Sequence, residues 1–140
     1  MITPQALAEQ EDRFARAFEN KDLESVRSLY RPDVVYVSPT VRLFGWPALI
    51  EGADRALGFI WLTICSLEEI HYRAVETAIA ADGESAFVRI HFDWTKNGRR
   101  VRSNYVVIYR YAEGRIARQE LYYDPSGDLE TLAPFADRRL

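Results

Sequence analysis

The sequence predicts one α+β domain, with helices in the first 60 residues and a curved antiparallel sheet made by the rest. Three observations carry this. Apolar residues recur at helical spacing as far as Ile60. From Leu67 onward the pattern changes to strict alternation, the period of a strand with one buried face. Turn signals at Asp82-Gly83, Asn97-Gly98 and Glu113-Gly114 then divide that stretch into four consecutive strands joined as hairpins.

Each element has a local reason. Thr3 can cap a helix over Gln5 to Asn20, and Pro4 suits its first turn, where a missing N–H costs nothing. Leu7, Phe14 and Phe18 fall on one face of it, and Glu9, Glu11, Arg13 and Arg16 are expected elsewhere. Asp22 is placed to cap a second, shorter helix carrying Leu23, Val26, Leu29 and Tyr30 inward, which Pro32 stops. Val34 to Ser38 is β-branched and aromatic, as a short strand should be, and Pro39 ends it. After the Gly45-Trp46-Pro47 break, Leu49, Ala53, Ala56, Leu57 and Ile60 predict a third helix from Ala48 to about Ile60.

Asn-Gly is a strong hairpin signal because both central residues of a type I′ turn need positive φ. Counting outward from Asn97-Gly98 pairs Lys96 with Arg99, Trp94 with Val101, Phe92 with Ser103, Ile90 with Tyr105, Val88 with Val107 and Ala86 with Tyr109, all on one face. The other face receives Asp93 opposite Arg102, His91 opposite Asn104, Arg89 opposite Val106 and Phe87 opposite Ile108. His91 is thereby turned away from the apolar side, and the orientation of His71, beside Tyr72, stays open. For the last strand, a three-residue loop from Ala112 puts Ala117, Gln119, Leu121 and Tyr123 on the apolar face. A two-residue turn at Glu113-Gly114 would instead turn Arg118, Glu120 and Asp124 toward the core, so the longer loop is preferred.

Composition narrows the function. A formal net charge of −3 leaves no clustered positive face for phosphates, so nucleic acid is not expected as a partner. Arg99, Arg100 and Arg102 surround a turn beside Asp93 and read as a solvated hairpin tip. With Cys65 as the only cysteine and two histidines, neither a disulfide nor a zinc-site spacing can be assembled, and no metal or other cofactor is expected. No apolar run approaches a membrane span and the N-terminus lacks a leader pattern, so a cytoplasmic protein without a membrane partner is expected. The 13% aromatic share, rich in Tyr, is the kind of lining a ligand cavity uses, and equally that of an aromatic core.

The order of elements and several strings resemble the nuclear-transport-factor-2-like superfamily, which includes ketosteroid isomerases, limonene epoxide hydrolases and SnoaL-like polyketide cyclases. The strings are Arg13-Phe14 through Lys21-Asp22-Leu23, then Tyr30 and Asp33, Val35-Tyr36-Val37-Ser38-Pro39 and Gly45. Ile108-Tyr109-Arg110-Tyr111, Glu113-Gly114-Arg115-Ile116 and Tyr122-Tyr123-Asp124 follow. The resemblance covers nearly the whole chain as a single SnoaL-like domain over 1–140. It implies a cystatin-like cone: three N-terminal helices packed in the concave face of a strongly curved, mainly antiparallel sheet, around an apolar cavity for a small hydrophobic organic molecule. It also implies a homodimer through the sheet's outer face. Carried over by position, the ligand-binding lining comprises Phe14, Ser38, Phe59, Val88, Ile90, Phe92, Trp94, Tyr105, Val107, Gln119, Leu121 and Tyr123, together with Tyr36.

The relatives' catalytic groups are largely replaced. The isomerase-type base falls on Ser38, and its oxyanion-hole Tyr and Asp fall on Phe14 and Val107. The epoxide-hydrolase Arg and two Asp fall on Val88, Ile90 and Leu121, leaving only its water-holding Tyr, as Tyr36. The cyclases' last-strand general acid also falls on Leu121, although a small register shift would bring in Asp124. The catalytic candidates are therefore Tyr36 and Asp124. A carboxyl at the mouth of an apolar cavity is a usable general acid, but Asp124-Pro125-Ser126-Gly127 is also ordinary turn chemistry. Two functions are compatible with the residues. One is a cofactor-free cyclase, isomerase, dehydratase or hydrolase acting on a hydrophobic carbonyl or hydroxyl compound; the other is a non-catalytic binding or dimerisation module that has lost the acids.

Overall fold

The computed structural model describes residues 1–123, the side chains of 42–44 excepted. Helix α1 spans Pro4–Asn20, with the Ala6 N–H donating to the Thr3 hydroxyl at 3.1 Å and Lys21 closing the C-terminus at φ 55°. Its inward stripe is Leu7, Gln10, Glu11, Phe14, Ala17 and Phe18. Glu11 is thus on the buried face, contrary to the expectation that it lies elsewhere. Its offsets from Leu7 and Phe14 put it one turn from each on the same side.

The second helix forms as a 3₁₀ run over Leu23–Leu29, without a capping bond from the Asp22 side chain. Seven residues ending before an X-Pro pair suit the tighter helix better than a full α-helix. Strand β1 follows at once, Tyr30–Val37, longer than expected and holding Tyr30 in the core. A second 3₁₀ turn, Pro39–Phe44, leads to strand β2, Leu49–Glu51, which pairs antiparallel with Val35–Val37. Helix α2 then spans Ala53–Ile64, starting later than the expected helix because Leu49–Glu51 is taken by the sheet.

Strands β3 (Glu68–Ile79), β4 (Ser85–Lys96), β5 (Arg99–Ala112) and β6 (Arg115–Tyr123) make the expected meander. The six strands run in the order β2-β1-β6-β5-β4-β3, with β1 parallel to β6 and every other neighbouring pair antiparallel. The β4–β5 register is the one counted from Asn97-Gly98, whose φ values of 52° and 77° are those of a type I′ turn.

The β5–β6 turn differs from expectation. Ala112 pairs with Arg115 and Tyr111 with Ile116, so the turn is the two-residue one at Glu113-Gly114. The next pair is Arg110 with Arg118, leaving Ala117 as the extra residue of a bulge. The bulge shifts the alternation by one. Ile116 is fully buried and Ala117 half-buried, yet Gln119 and Leu121 face inward as anticipated. Further irregularities on β3, between Glu68 and His71 and between Ala74 and Glu76, add bends where the sheet wraps α1.

The core lies between the inner face of the sheet and the two α-helices. Phe14 packs against Phe18, Tyr30 and Tyr109, and Phe18 stacks on Tyr72 at 5.1 Å between ring centres. On the outer face, Asp93 is buried and accepts both bonds of Arg102, at 3.0 and 3.1 Å, with Arg100 at 3.9 Å. The arginines of the hairpin end are exposed, as a solvated tip should be, and Arg100 and Arg102 also pair with the buried Asp93. Cys65 is exposed, and among the described residues no helix is long and apolar enough to cross a membrane.

Candidate functional site

A cavity lies inside the cone, between the two α-helices and the sheet. Helix α1 contributes Phe14 and Phe18; α2 contributes Ile60, Thr63 and Ile64; β3 and β4 contribute Tyr72 and Phe92. Tyr36 enters from β1, Tyr105 and Val107 from β5, and Gln119, Leu121 and Tyr123 from β6. The centre of a water molecule has about 40 Å³ to move in it. Adding the water's own radius of ~1.4 Å makes this a rounded void of roughly 3.5 Å radius, room for a ligand of about five to seven heavy atoms.

The sequence-derived residues divide by location. Phe14, Tyr36, Phe92, Tyr105, Val107, Gln119, Leu121 and Tyr123 line the cavity. Phe59, Val88 and Ile90 are fully buried in the surrounding core, and Trp94 packs against Phe92. Ser38 is buried and forms the wall of an outer apolar groove of about 490 Å³, where it meets Val37, Pro39, Val41 and Ala48. Leu121 and Tyr123 line both spaces and form the partition between them. Asp124 lies outside the described residues.

Around that partition the polar groups are hydroxyls. Ser38 is hydrogen-bonded to Thr40 at 2.8 Å, and its hydroxyl slightly offsets the effect of burial on the Tyr36 and Tyr123 phenols. Burial raises the pKa of Tyr36, Tyr105 and Tyr123, so these phenols keep their protons through the physiological range and act as donors. The Tyr30 hydroxyl donates to Gln119 Oε1 at 2.6 Å, which leaves the amide NH₂ of Gln119 for other bonds.

Behind the opposite wall is the group the sequence reading missed. Glu11 is 4% exposed, and three donors reach its carboxylate: the Tyr72 hydroxyl to Oε1 at 2.8 Å, and the Tyr109 hydroxyl and Gln10 Nε2 to Oε2, each at 3.1 Å. Tyr111 donates to Gln10 Oε1 at 2.9 Å, which fixes the amide with its NH₂ toward Glu11. Burial is the largest influence on Glu11 and raises its pKa, against the lowering effect of its three donors. Of those donors only Tyr72 lines the cavity. The signal for Glu11 was the helical spacing, which places it on the stripe of Leu7, Phe14 and Phe18.

A larger cleft of about 790 Å³ opens on the surface beside the start of α2, but its Arg27 is already paired with Glu24 and Asp54. It brings no phenol cluster together.

The profile of the SnoaL-like domain matches residues 12–119. The chain belongs to the SnoaL-like domain family. Solved structures similar to this SnoaL-like domain include a protein of ketosteroid isomerase-like fold from Catenulispora acidiphila, in complex with trimethylamine, at 18% identity over 92% of each chain with a TM-score of 0.71. TsrD from Streptomyces laurentii shares 16% identity over 94% of this chain and 98% of its own, with a TM-score of 0.75. SalBIII, an epoxide hydrolase/cyclase-like enzyme in pyran ring formation of the polyether salinomycin, shares 17% over 91% and 97%, with a TM-score of 0.72. Identities this low establish the shared fold of the SnoaL-like domain and no more. No curated protein matches the chain.

Proposed function

We propose that this SnoaL-like domain is a cofactor-free enzyme that acts on a small hydrophobic carbonyl or hydroxyl compound held in the aromatic cavity. The observation that carries the reading is that the protonated Tyr36, Tyr105 and Tyr123 line one aromatic void free of carboxylates among the described residues. Phenols in a water-poor site can polarise a carbonyl or epoxide oxygen as negative charge develops on it, and a single such donor is worth about 100-fold in rate. Tyr36 and Tyr105 would hold the reacting oxygen. Ser38 would orient Tyr36 and Tyr123, and Asp124, which follows Tyr123 in sequence, would serve as general acid. The same reading has two copies pair through the outer face of the sheet.

A second reading is favoured by one fact: among the described residues no Asp or Glu lines the cavity. A non-catalytic carrier of the same ligand class would look like this too. Incubation with a panel of small cyclic ketones, epoxides and secondary alcohols, with products followed by gas chromatography, separates the two. Turnover that falls about 100-fold in Tyr36→Phe supports the enzyme. Saturable binding without turnover of any compound supports the carrier.

A further inference from the structure

Glu11 and Tyr72 form a buried pair whose hydrogen bonds depend on one proton. Among the described residues, Glu11 Oε2 accepts from Gln10 and Tyr109, whereas Oε1 accepts from Tyr72 alone. A proton added to the carboxyl therefore fits best on Oε1, the oxygen with one donor to displace. An Oε1–H group must donate, and the atom 2.8 Å away is the Tyr72 oxygen. The Tyr72 hydroxyl hydrogen then has to turn elsewhere, and Tyr72 is the member of the network that lines the cavity. With the Tyr72 oxygen at the cavity wall, ionised Glu11 would draw the Tyr72 proton inward and leave a lone pair for the cavity, and protonated Glu11 would send the Tyr72 O–H toward it.

We infer that the Glu11–Tyr72 pair sets the hydrogen-bond polarity of the cavity: with Glu11 protonated it selects ligands that accept, such as ketones, and with Glu11 ionised it selects ligands that donate, such as alcohols. This rests on the aromatic cavity being the ligand site. Glu11 is here a specificity-determining group that acts through Tyr72, without touching the ligand itself. The surroundings let its proton be the one that matters. Facing it are Gln10 and Asp12 on its own helix, Tyr72 on β3, Tyr105, Tyr109 and Tyr111 on β5, and Tyr30 on β1. Each of these phenols has its pKa raised and stays neutral through the working range. Asp12 is exposed and is retained in every variant below.

Cyclopentanone and cyclopentanol are suitable probes, since both match the void and differ in one donor hydrogen. Their dissociation constants are measured by ligand-observed NMR across about pH 5 to about pH 8. The ketone should lose about fivefold to tenfold in affinity as pH rises through the Glu11 titration, while the alcohol, which can donate or accept, changes far less. In Glu11→Gln the side-chain carbonyl can accept from Gln10 and Tyr109 while its NH₂ donates to Tyr72, mimicking the protonated acid. Its ketone-to-alcohol ratio should stay at the acid-limb value at every pH, and Tyr72→Phe should abolish the pH dependence without the Gln variant's preference. Binding of both probes with a pH-independent ratio in the unmodified protein overturns the inference and leaves the cavity reading standing. Binding of neither probe at any pH removes the cavity reading, and the inference with it.

Discussion

Replacing Glu11 with Gln also has a consequence for folding that needs no ligand. The carboxyl is 4% exposed, and among the described residues it has three neutral donors and no ion-pair partner. Burial raises its pKa above the ordinary 4.5. In the unfolded chain the proton leaves near that ordinary value, whereas the folded protein holds it to a higher pH. Between the two, the folded state binds one more proton than the unfolded state. The stabilisation from this group is fully present below the unfolded pKa and is lost as pH rises through the folded one. The limiting slope is about 1.4 kcal/mol per pH unit. Glutamine does not titrate and can satisfy the same three partners, so stability as a function of pH should differ between the two proteins by that slope. The variant gains on the native chain as pH rises. Urea denaturation followed by fluorescence, in steps between about pH 5 and about pH 8, measures it, because every other titrating group is common to both proteins and cancels. Parallel stability curves across that range would refute a buried, proton-retaining Glu11.

Phe14→Ala should cost about 3–5 kcal/mol in the same assay, because the ring is 2% exposed and packs against Phe18, Tyr30 and Tyr109. Gly98→Ala should cost about 1 kcal/mol and speed amide exchange at the β4–β5 hairpin end, since φ at Gly98 is 77°. Phe87 is 40% exposed on the outer face of the sheet. If two copies pair there, Phe87→Glu should shift sedimentation toward the monomer with an unchanged circular dichroism spectrum.

Legibility followed how local the determining interaction is. The β4–β5 pairing could be counted residue by residue because one dipeptide, Asn97-Gly98, sets it and each later pair follows from the period of two. Strand β2 could not be seen. Its three residues sit in a stretch with helical spacing, and what makes them a strand is pairing with Val35–Val37, a tertiary contact. At β5–β6 the inward face was read correctly for Gln119 and Leu121 through the wrong turn. Glu113, at φ 55°, accepts the left-handed conformation that the two-residue turn needs, and the bulge at Ala117 then corrects the phase. Of the cavity lining, the residues of β4 to β6 were legible through register, and Phe14 and Tyr36 through the family resemblance. Phe18, Ile60, Thr63, Ile64 and Tyr72 depended on how helices and β3 seat against the sheet.

Glu11 was missed for a different reason, and the sequence did contain the means to find it. A binary reading assigns Glu to solvent by type, although its spacing from Leu7 and Phe14 places it inside. The stronger clue is a count of hydrogen-bond demand. Once the register turns Tyr105 and Tyr109 inward, each phenol brings a donor into the core, and a buried donor without an acceptor costs about 1–3 kcal/mol. The apolar sheet positions offer none. On the sheet Gln119 accepts from Tyr30, and α1 supplies two further acceptors in succession on its inward stripe, Gln10 and Glu11. Gln10 takes the Tyr111 proton and Glu11 takes those of Tyr72 and Tyr109, from residues 61 and 98 positions away. A polar residue on an apolar helix face opposite inward tyrosines thus answers a demand of the sheet it packs on, and here it puts a carboxyl within one phenol of the cavity.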